Sequence, residues 1–356
     1  MRKAAGEQQL GELVQVARFV PPLWVPLGAM ALAEQRSWPA MLGALGCAAI
    51  GALGLLRAYR GTVRMYKGDT GGKAALATRA HATTTAPVPV GRLFVERRLP
   101  ILPEQAVAVG LGTFRSMLRA PEIKMTWAMS FIVTVILGAS LFIRAAPNIP
   151  ESAKPFVVLG PSAFSVFMLI QFMANLFGFD RDGFRALVLS PVDRRHILLG
   201  KNLASWPVGA AFSVVLLAAT STWLRLPLLA VAAALFQLVA LLLVTSVGGN
   251  VLSILGPYRI AAGSTKPTKM TAKAILLMIG CHLLFPLVML PVALPPLIEL
   301  LWVMGGGPSA VPVSLLLSIL LSAIAALLYW KSLDPLGALL RRREIQILDT
   351  VSAAVE

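Results

Sequence analysis

Nine ionisable side chains crowd the stretch DRDGFRALVLSPVDRRHILLGK: Asp180, Arg181, Asp182, Arg185, Asp193, Arg194, Arg195, His196 and Lys201. The arginines can pair with acidic groups or with lipid phosphate. On the residues alone, a basic loop whose arginines touch phosphate is the favoured reading. Covalent chemistry has little footing anywhere in the chain. There is no HExxH, no cluster of histidines and cysteines, and the three histidines, His81, His196 and His282, stand far apart. Gly68-Asp69-Thr70-Gly71-Gly72-Lys73 imitates a phosphate loop but is one residue short before Gly-Lys, and Ala74 stands where Ser or Thr is needed. No nucleotide site, cofactor or metal is expected on this chain, and no enzyme activity.

The elements that must position this charged stretch are apolar. The chain has 356 residues, 57% of them hydrophobic and only 13% charged, with a mean hydropathy of +0.77. A soluble domain carries roughly 25% charged residues, so lipid is the expected solvent. A helix needs roughly 20 apolar residues to cross the hydrocarbon. Eight runs qualify or nearly so: Phe19–Ala33, Trp38–Leu56, Met125–Ile143, Pro155–Phe179, Leu203–Leu224, Leu226–Leu255, Ala274–Leu294 and Ser309–Trp330. The first is the shortest and carries Pro21, Pro22 and Pro26, so a re-entrant segment and seven spans is the alternative. Pro295–Met304 is too short to cross and ends at Gly305-Gly306-Gly307, which predicts an outer re-entrant piece. The expected fold class is an all-α, polytopic helical bundle.

The net charge of +16 invites a nucleic-acid reading. The placement of the charge argues against it: 28 of the 32 lysines and arginines fall in segments on one side of the apolar runs. By the positive-inside rule that side is the cytoplasm, and both termini lie there. Cys47 and Cys281 sit inside apolar runs and read as packing residues. Met1-Arg2-Lys3 is followed by Glu7, Gln8, Gln9 and Glu12 where a signal's apolar core would stand, so uncleaved spans are expected to direct insertion.

Gly68–Arg92 is dominated by Gly, Ala, Thr and Pro without an apolar period, and is expected to be a flexible linker. It divides a two-span module, residues 1–67, from a six-span module, residues 93–356. The larger module opens with an amphipathic stretch. Val107, Leu111, Phe114 and Leu118 form one stripe flanked by Arg115 and Arg119, after Pro103 and Glu104 and before Pro121. This predicts a helix in the inner membrane interface, or one packed on the loops. A weak internal repeat is carried by Pro-Pro-Leu at 21–23 and 295–297.

Asn175, Gly178, Pro191, Arg194, Arg195, Gly200 and Lys201 make the pattern Asn-x-x-Gly, Pro-x-x-Arg-Arg, Gly-Lys between two spans. Here the sequence resembles the type-2 ABC transporter permeases, and the resemblance covers residues 93–356. It implies an exporter's membrane subunit whose loop 180–201 is a coupling helix docked on a separate ATPase. Asp180, Arg181, Asp182, Phe184, Arg185, Leu187, Pro191, Arg194, Arg195 and Lys201 would form the contact. ATP and Mg would be bound by that cytoplasmic partner. The permease would act as a homodimer or beside a related half, in the plasma (inner) membrane. Residues 1–67 would fit the tail of a longer fused permease.

Among other polar groups in the spans, His282, Gln171, Asn175, Gln237 and Asn250 are expected to make interhelical hydrogen bonds, and Glu299 to be an interfacial carboxylate. None of the runs carries Asp or Glu at its middle, which argues against an ion-driven carrier. That carrier and a non-transporting membrane scaffold remain the alternative readings.

Overall fold

A computed structural model of the protein describes residues 24–66, 102–145, 149–261, 267, 270–308 and 310–352. The linker Gly68–Arg92 therefore lies outside the described residues, as do 19–23 of the first apolar run. The chain divides into two compact units, Met1–Val90 and Gly91–Glu356. Helices make up nearly all of what is described, with no β-strand among the described residues. Six of these helices are long and apolar enough to cross a membrane, and the chain is a multi-pass helical membrane protein.

In the first unit, α1 (Trp24–Ala33) folds back on α2 (Ser37–Tyr66). Gln35 makes the turn in the left-handed region, at φ 61°. Glycines let the two helices touch: a Cβ on Gly43 would lie 2.9 Å from the Trp24 carbonyl oxygen. The ten residues of α1 span about 15 Å, short of a bilayer. The candidate span in this unit is Ser37–Val63 of α2.

The second unit contains α3 (Glu104–Arg119), α4 (Pro121–Ala145), α5 (Lys154–Met173), the short α6 (Phe184–Leu189), α7 (Arg194–Leu224), α8 (Leu228–Leu255), α9 (Ala272–Met304) and α10 (Val313–Ser352). The closest pairings are α8 with α10, α3 with α7, and α5 with both α7 and α8. The apolar run Met125–Ile143 falls within α4. One end of this bundle gathers the loop arginines and is called the basic end below.

One apolar piece differs from the sequence expectation. Pro295–Met304 does not turn back. It continues α9, which runs unbroken for 33 residues through Pro286, Pro291, Pro295 and Pro296. Proline breaks a helix by removing an N–H and crowding a carbonyl, but helices inside membranes tolerate it where neighbours re-satisfy the freed groups. Val292, Pro295 and Pro296 are buried in the bundle. The residues after Lys331 remain helical. They extend α10 to 40 residues, about 60 Å, so about half of it projects beyond a hydrocarbon layer. Leu333, Leu336, Leu340, Ile347 and Val351 on this projection join Phe184, Ile197 and Leu198 in a core at the basic end. Outside lipid, each such side chain contributes about 1.5–3 kcal/mol on burial.

The amphipathic helix α3 forms, but its inward stripe is turned by one residue from the predicted one. Ala106, Val107, Gly110 and Met117 are buried. Leu111 and Phe114 are half-buried, whereas Leu118 stays exposed beside Arg115 and Arg119. The reason is the partner surface. α3 crosses α7 at Gly110 and Gly200, and a Cβ on Gly200 would sit 2.7 Å from the Ala106 carbonyl oxygen and 2.8 Å from the Val109 Cβ. Only small side chains fit so close a crossing. Gly200→Ala is therefore expected to lower stability by about 1–3 kcal/mol through overpacking. Gly112→Ala, where a Cβ meets nothing within 4 Å, should be neutral or stabilising by up to about 1 kcal/mol. Thermal unfolding of the detergent-solubilised protein, followed by tryptophan fluorescence, measures both.

Candidate functional site

The chain leaves α5 at Met173 and must satisfy its free carbonyls at once. The Ser253 hydroxyl donates to the Met173 carbonyl at 3.0 Å and accepts from the Leu176 N–H at 3.0 Å. Asn175, fully buried, grips the segment after α8 with both ends of its amide. Its Nδ2 donates to the Tyr258 carbonyl at 2.8 Å, and its Oδ1 accepts the Tyr258 N–H at 3.1 Å. Gly178 must be glycine because a Cβ there would collide with that same Tyr258 carbonyl and with the Asn175 amide. The Asn-x-x-Gly pattern is thus a backbone clamp. Burial holds the Tyr258 phenol un-ionised up to about 12, against 10 for a free tyrosine. Its contribution to stability is intact below pH 10 and is lost as the pH climbs toward 12.

Arg181 adopts φ 50°, unusual for a side chain with a Cβ. Three interactions hold it there: Nε donates to the Ile260 carbonyl at 2.9 Å, a terminal nitrogen donates to the Ala261 carbonyl at 3.3 Å, and the same nitrogen is salt-bridged to Glu122 at the start of α4. Asp180 is salt-bridged to Lys201 of α7. Burial pushes the Asp180 carboxyl above the ordinary carboxylate range, and the Lys201 ammonium pulls it part of the way back. The pair is asymmetric: 21% of the Asp180 side chain is exposed, against 2% of Lys201.

Arg194 is the densest node. Its guanidinium donates to Glu344 on α10 at 2.7 Å and to the carbonyls of Val188, Ser190 and Val192 at 2.9, 3.2 and 2.8 Å. Those carbonyls are the C-terminal end of α6 and the turn after it. Arg195, half-exposed, pairs with Asp193 at 3.3 Å and with Asp334 of α10 at 3.1 Å. Asp193 also caps α7 by accepting the Arg195 N–H at 3.2 Å. His196 Nδ1 lies 3.0 Å from the Gln105 Oε1 of α3.

Of the residues singled out in this loop, Asp180, Arg181, Arg194 and Lys201 turn inward and tie the loop to the bundle. Phe184 is buried too, its ring 4.9 Å from that of Phe177, so it seats within its own chain rather than in a partner's groove. Leu187 is half-buried against the same core. Asp182, Arg185, Pro191 and Arg195 face outward. The sequence reading passed over Leu189, which is 78% exposed. With Asp182, Arg185 and Ala186, also exposed, it falls at steps of three, one and three, a single helical stripe. That spacing was available in the sequence. The acids that neutralise the inward arginines were missed because they lie 59 residues before Arg181 and 150 after Arg194.

Other polar groups of the spans also have assigned places. Gln237 donates to Ser318 of α10 at 2.9 Å, Glu299 caps α10 by accepting the Ser314 N–H at 2.5 Å, and His282 bonds the Met278 carbonyl of its own helix at 2.8 Å. Asn250 is buried with neither amide atom bonded. The Gln171 side chain lies outside what is described.

Removing Asp180 strands the Lys201 ammonium in a site with almost no water. Asp180→Leu is therefore expected to cost about 3–5 kcal/mol, while Asp180→Leu with Lys201→Met returns most of that. Unfolding midpoints of the single and double variants in one detergent measure the difference.

No protein-family model, no curated protein and no solved structure matches this chain.

Proposed function

We propose that this chain is the membrane-spanning permease subunit of an ABC transporter, moving a substrate outward across the plasma (inner) membrane. The power stroke would come from ATP and Mg on a separate cytoplasmic ATPase subunit. The permease would work as a homodimer or beside a related half, with its termini and its basic end in the cytoplasm.

One observation carries this reading. The segment 180–201 is a knob that is rigid on one side and open on the other. Inward, Arg181, Arg194 and Lys201 tie it to α4, α10 and its own root, and Asn175 ties that root to the segment after α8. Outward, it offers Arg185, Ala186 and the exposed Leu189 on one stripe. A single exposed leucine is ordinary on a protein surface, but this one shares the loop's outward stripe with Arg185. A docking knob can use that arrangement, because an apolar anchor with an arginine beside it is what a partner's groove recognises. A push on this knob would be felt by several spans together. Nucleotide that binds one arrangement of the ATPase pair more tightly would then shift the bundle between inward- and outward-facing states.

The test is a mild-detergent pull-down of the tagged chain from its native membranes. An ABC ATPase is expected at near-stoichiometric yield. Arg185→Glu with Leu189→Glu should cut its recovery at least about tenfold, a loss of about 1.4 kcal/mol in binding, at an unchanged unfolding midpoint. Arg194→Gln should instead lower that midpoint. Absence of an ATPase while other complexes survive the same detergent would discard the transporter reading in favour of a scaffold or a carrier. Full recovery with the double variant would move the contact off this knob.

A further inference from the structure

A cavity of about 1020 Å³ in the second unit lies between α8, α9 and α10 with one contribution from α5. Its walls are apolar, and glycines on facing helices create the room. Gly248 on α8 and Gly280 on α9 both line it, and a Cβ on either would meet nothing within 4 Å. Leu276, Leu284 and Leu328 on its lining are more than half exposed, so the cavity opens sideways, out of the bundle. Among the described residues Lys273 is the one charged group that lines it, in the first turn of α9 at the basic end.

That lysine stands against the field of its own helix. The first turn of a helix favours negative charge. The first turn of α9 contains no acid, and Lys273 makes no ion pair among the described residues. An anion at this corner would be attracted by the lysine and by the helix end together. Behind it lies an apolar slot opening toward the hydrocarbon. A second copy's transmembrane helix fits poorly: at 10–12 Å across, roughly two turns would fill the volume, far short of a span.

We infer that this cavity is a binding site for an anionic glycerophospholipid of the leaflet at the basic end. Its headgroup is held at Lys273 and its acyl chains lie across Gly248 and Gly280. The site depends only on the chain's place in a membrane, so it stands or falls apart from the transporter reading.

Native mass spectrometry of the full-length protein released from detergent, titrated with phosphatidylglycerol or phosphatidylcholine, tests it. Phosphatidylglycerol should be retained in preference. Lys273→Gln should lower that retention about fivefold, the effect of one lysine on an anionic headgroup, and leave phosphatidylcholine unchanged. Gly248→Leu and Gly280→Leu should each remove the bound lipid. Equal retention of the two lipids by the unaltered protein, or undiminished retention in both leucine variants, would overturn the site. A second measurement needs no variant. Phosphatidylglycerol with a diazirine on its acyl chain should crosslink to residues 244–252 and 276–288. Crosslinks spread evenly over the lipid-facing helices would equally refute the proposal.

Discussion

A helix of six residues is unstable by itself. Nucleation fixes several dihedrals for one hydrogen bond, and isolated helices shorter than about 12–15 residues are marginal in water. Yet α6 (Phe184–Leu189) holds its shape at the surface of the basic end. It does so because one guanidinium, that of Arg194, donates to the carbonyls of Val188, Ser190 and Val192 while its Nε donates to Glu344. Arginine suits the place. Its donors point in a fixed planar fork and its charge does not titrate, so the ties hold through any physiological pH. A lysine could reach Glu344 but could not bridge three carbonyls at the same time.

The other inward charges follow from that tie. Once α6 is pinned between α7 and the projection of α10, Phe184 is pressed onto Phe177, and Asp180 and Lys201 are left with little water. Ions so placed must be paired. Each pairing joins separate parts of the chain: Asp180 to Lys201 and Arg181 to Glu122. The loop thereby becomes stiffer than its composition suggests, because its position is set by several crossed ties rather than by its own backbone.

How far this could be read from residues depends on the range of each interaction. Apolar runs are local, so the long helices α5, α7, α8 and α10 were legible as runs of the right length. Asn175 and Gly178 were legible as a pattern, but not their purpose, since Tyr258 lies 83 residues away from Asn175. The acids that absorb the arginines were hidden for the same reason, and this made Arg194 look like a partner-facing charge. The projection of α10 was overlooked although its period is present: Leu333, Leu336, Leu340, Ile347 and Val351 fall at steps of three, four, seven and four. Its charged residues, Arg341, Arg342, Arg343 and Glu344, masked the stripe. For Pro295–Met304 the difficulty ran the other way: ten residues before three glycines look like a separate piece, yet the prolines there leave the helix unbroken. Their rule comes from helices in water, where a freed carbonyl finds a solvent partner and the helix has an alternative. Between neighbouring helices in lipid that alternative is absent.

That last contrast bears on how the bundle can move. α9 meets its neighbours far less than α8 does, and most of its apolar side chains face outward. Pro286, Pro291, Pro295 and Pro296 deprive the carbonyls of His282, Leu287, Pro291 and Val292 of their ordinary partners. A helix with few packing contacts and interrupted hydrogen bonds bends and shifts at low energetic cost. α8 and α10 are bound along their length, and α10 is fastened to the knob through Glu344 and Asp334. A displacement of the knob would thus carry α10 with it and leave α9 behind. The cavity between α8, α9 and α10 would have to change volume, because it is bounded on one side by the elements that move together and on the other by the one that does not.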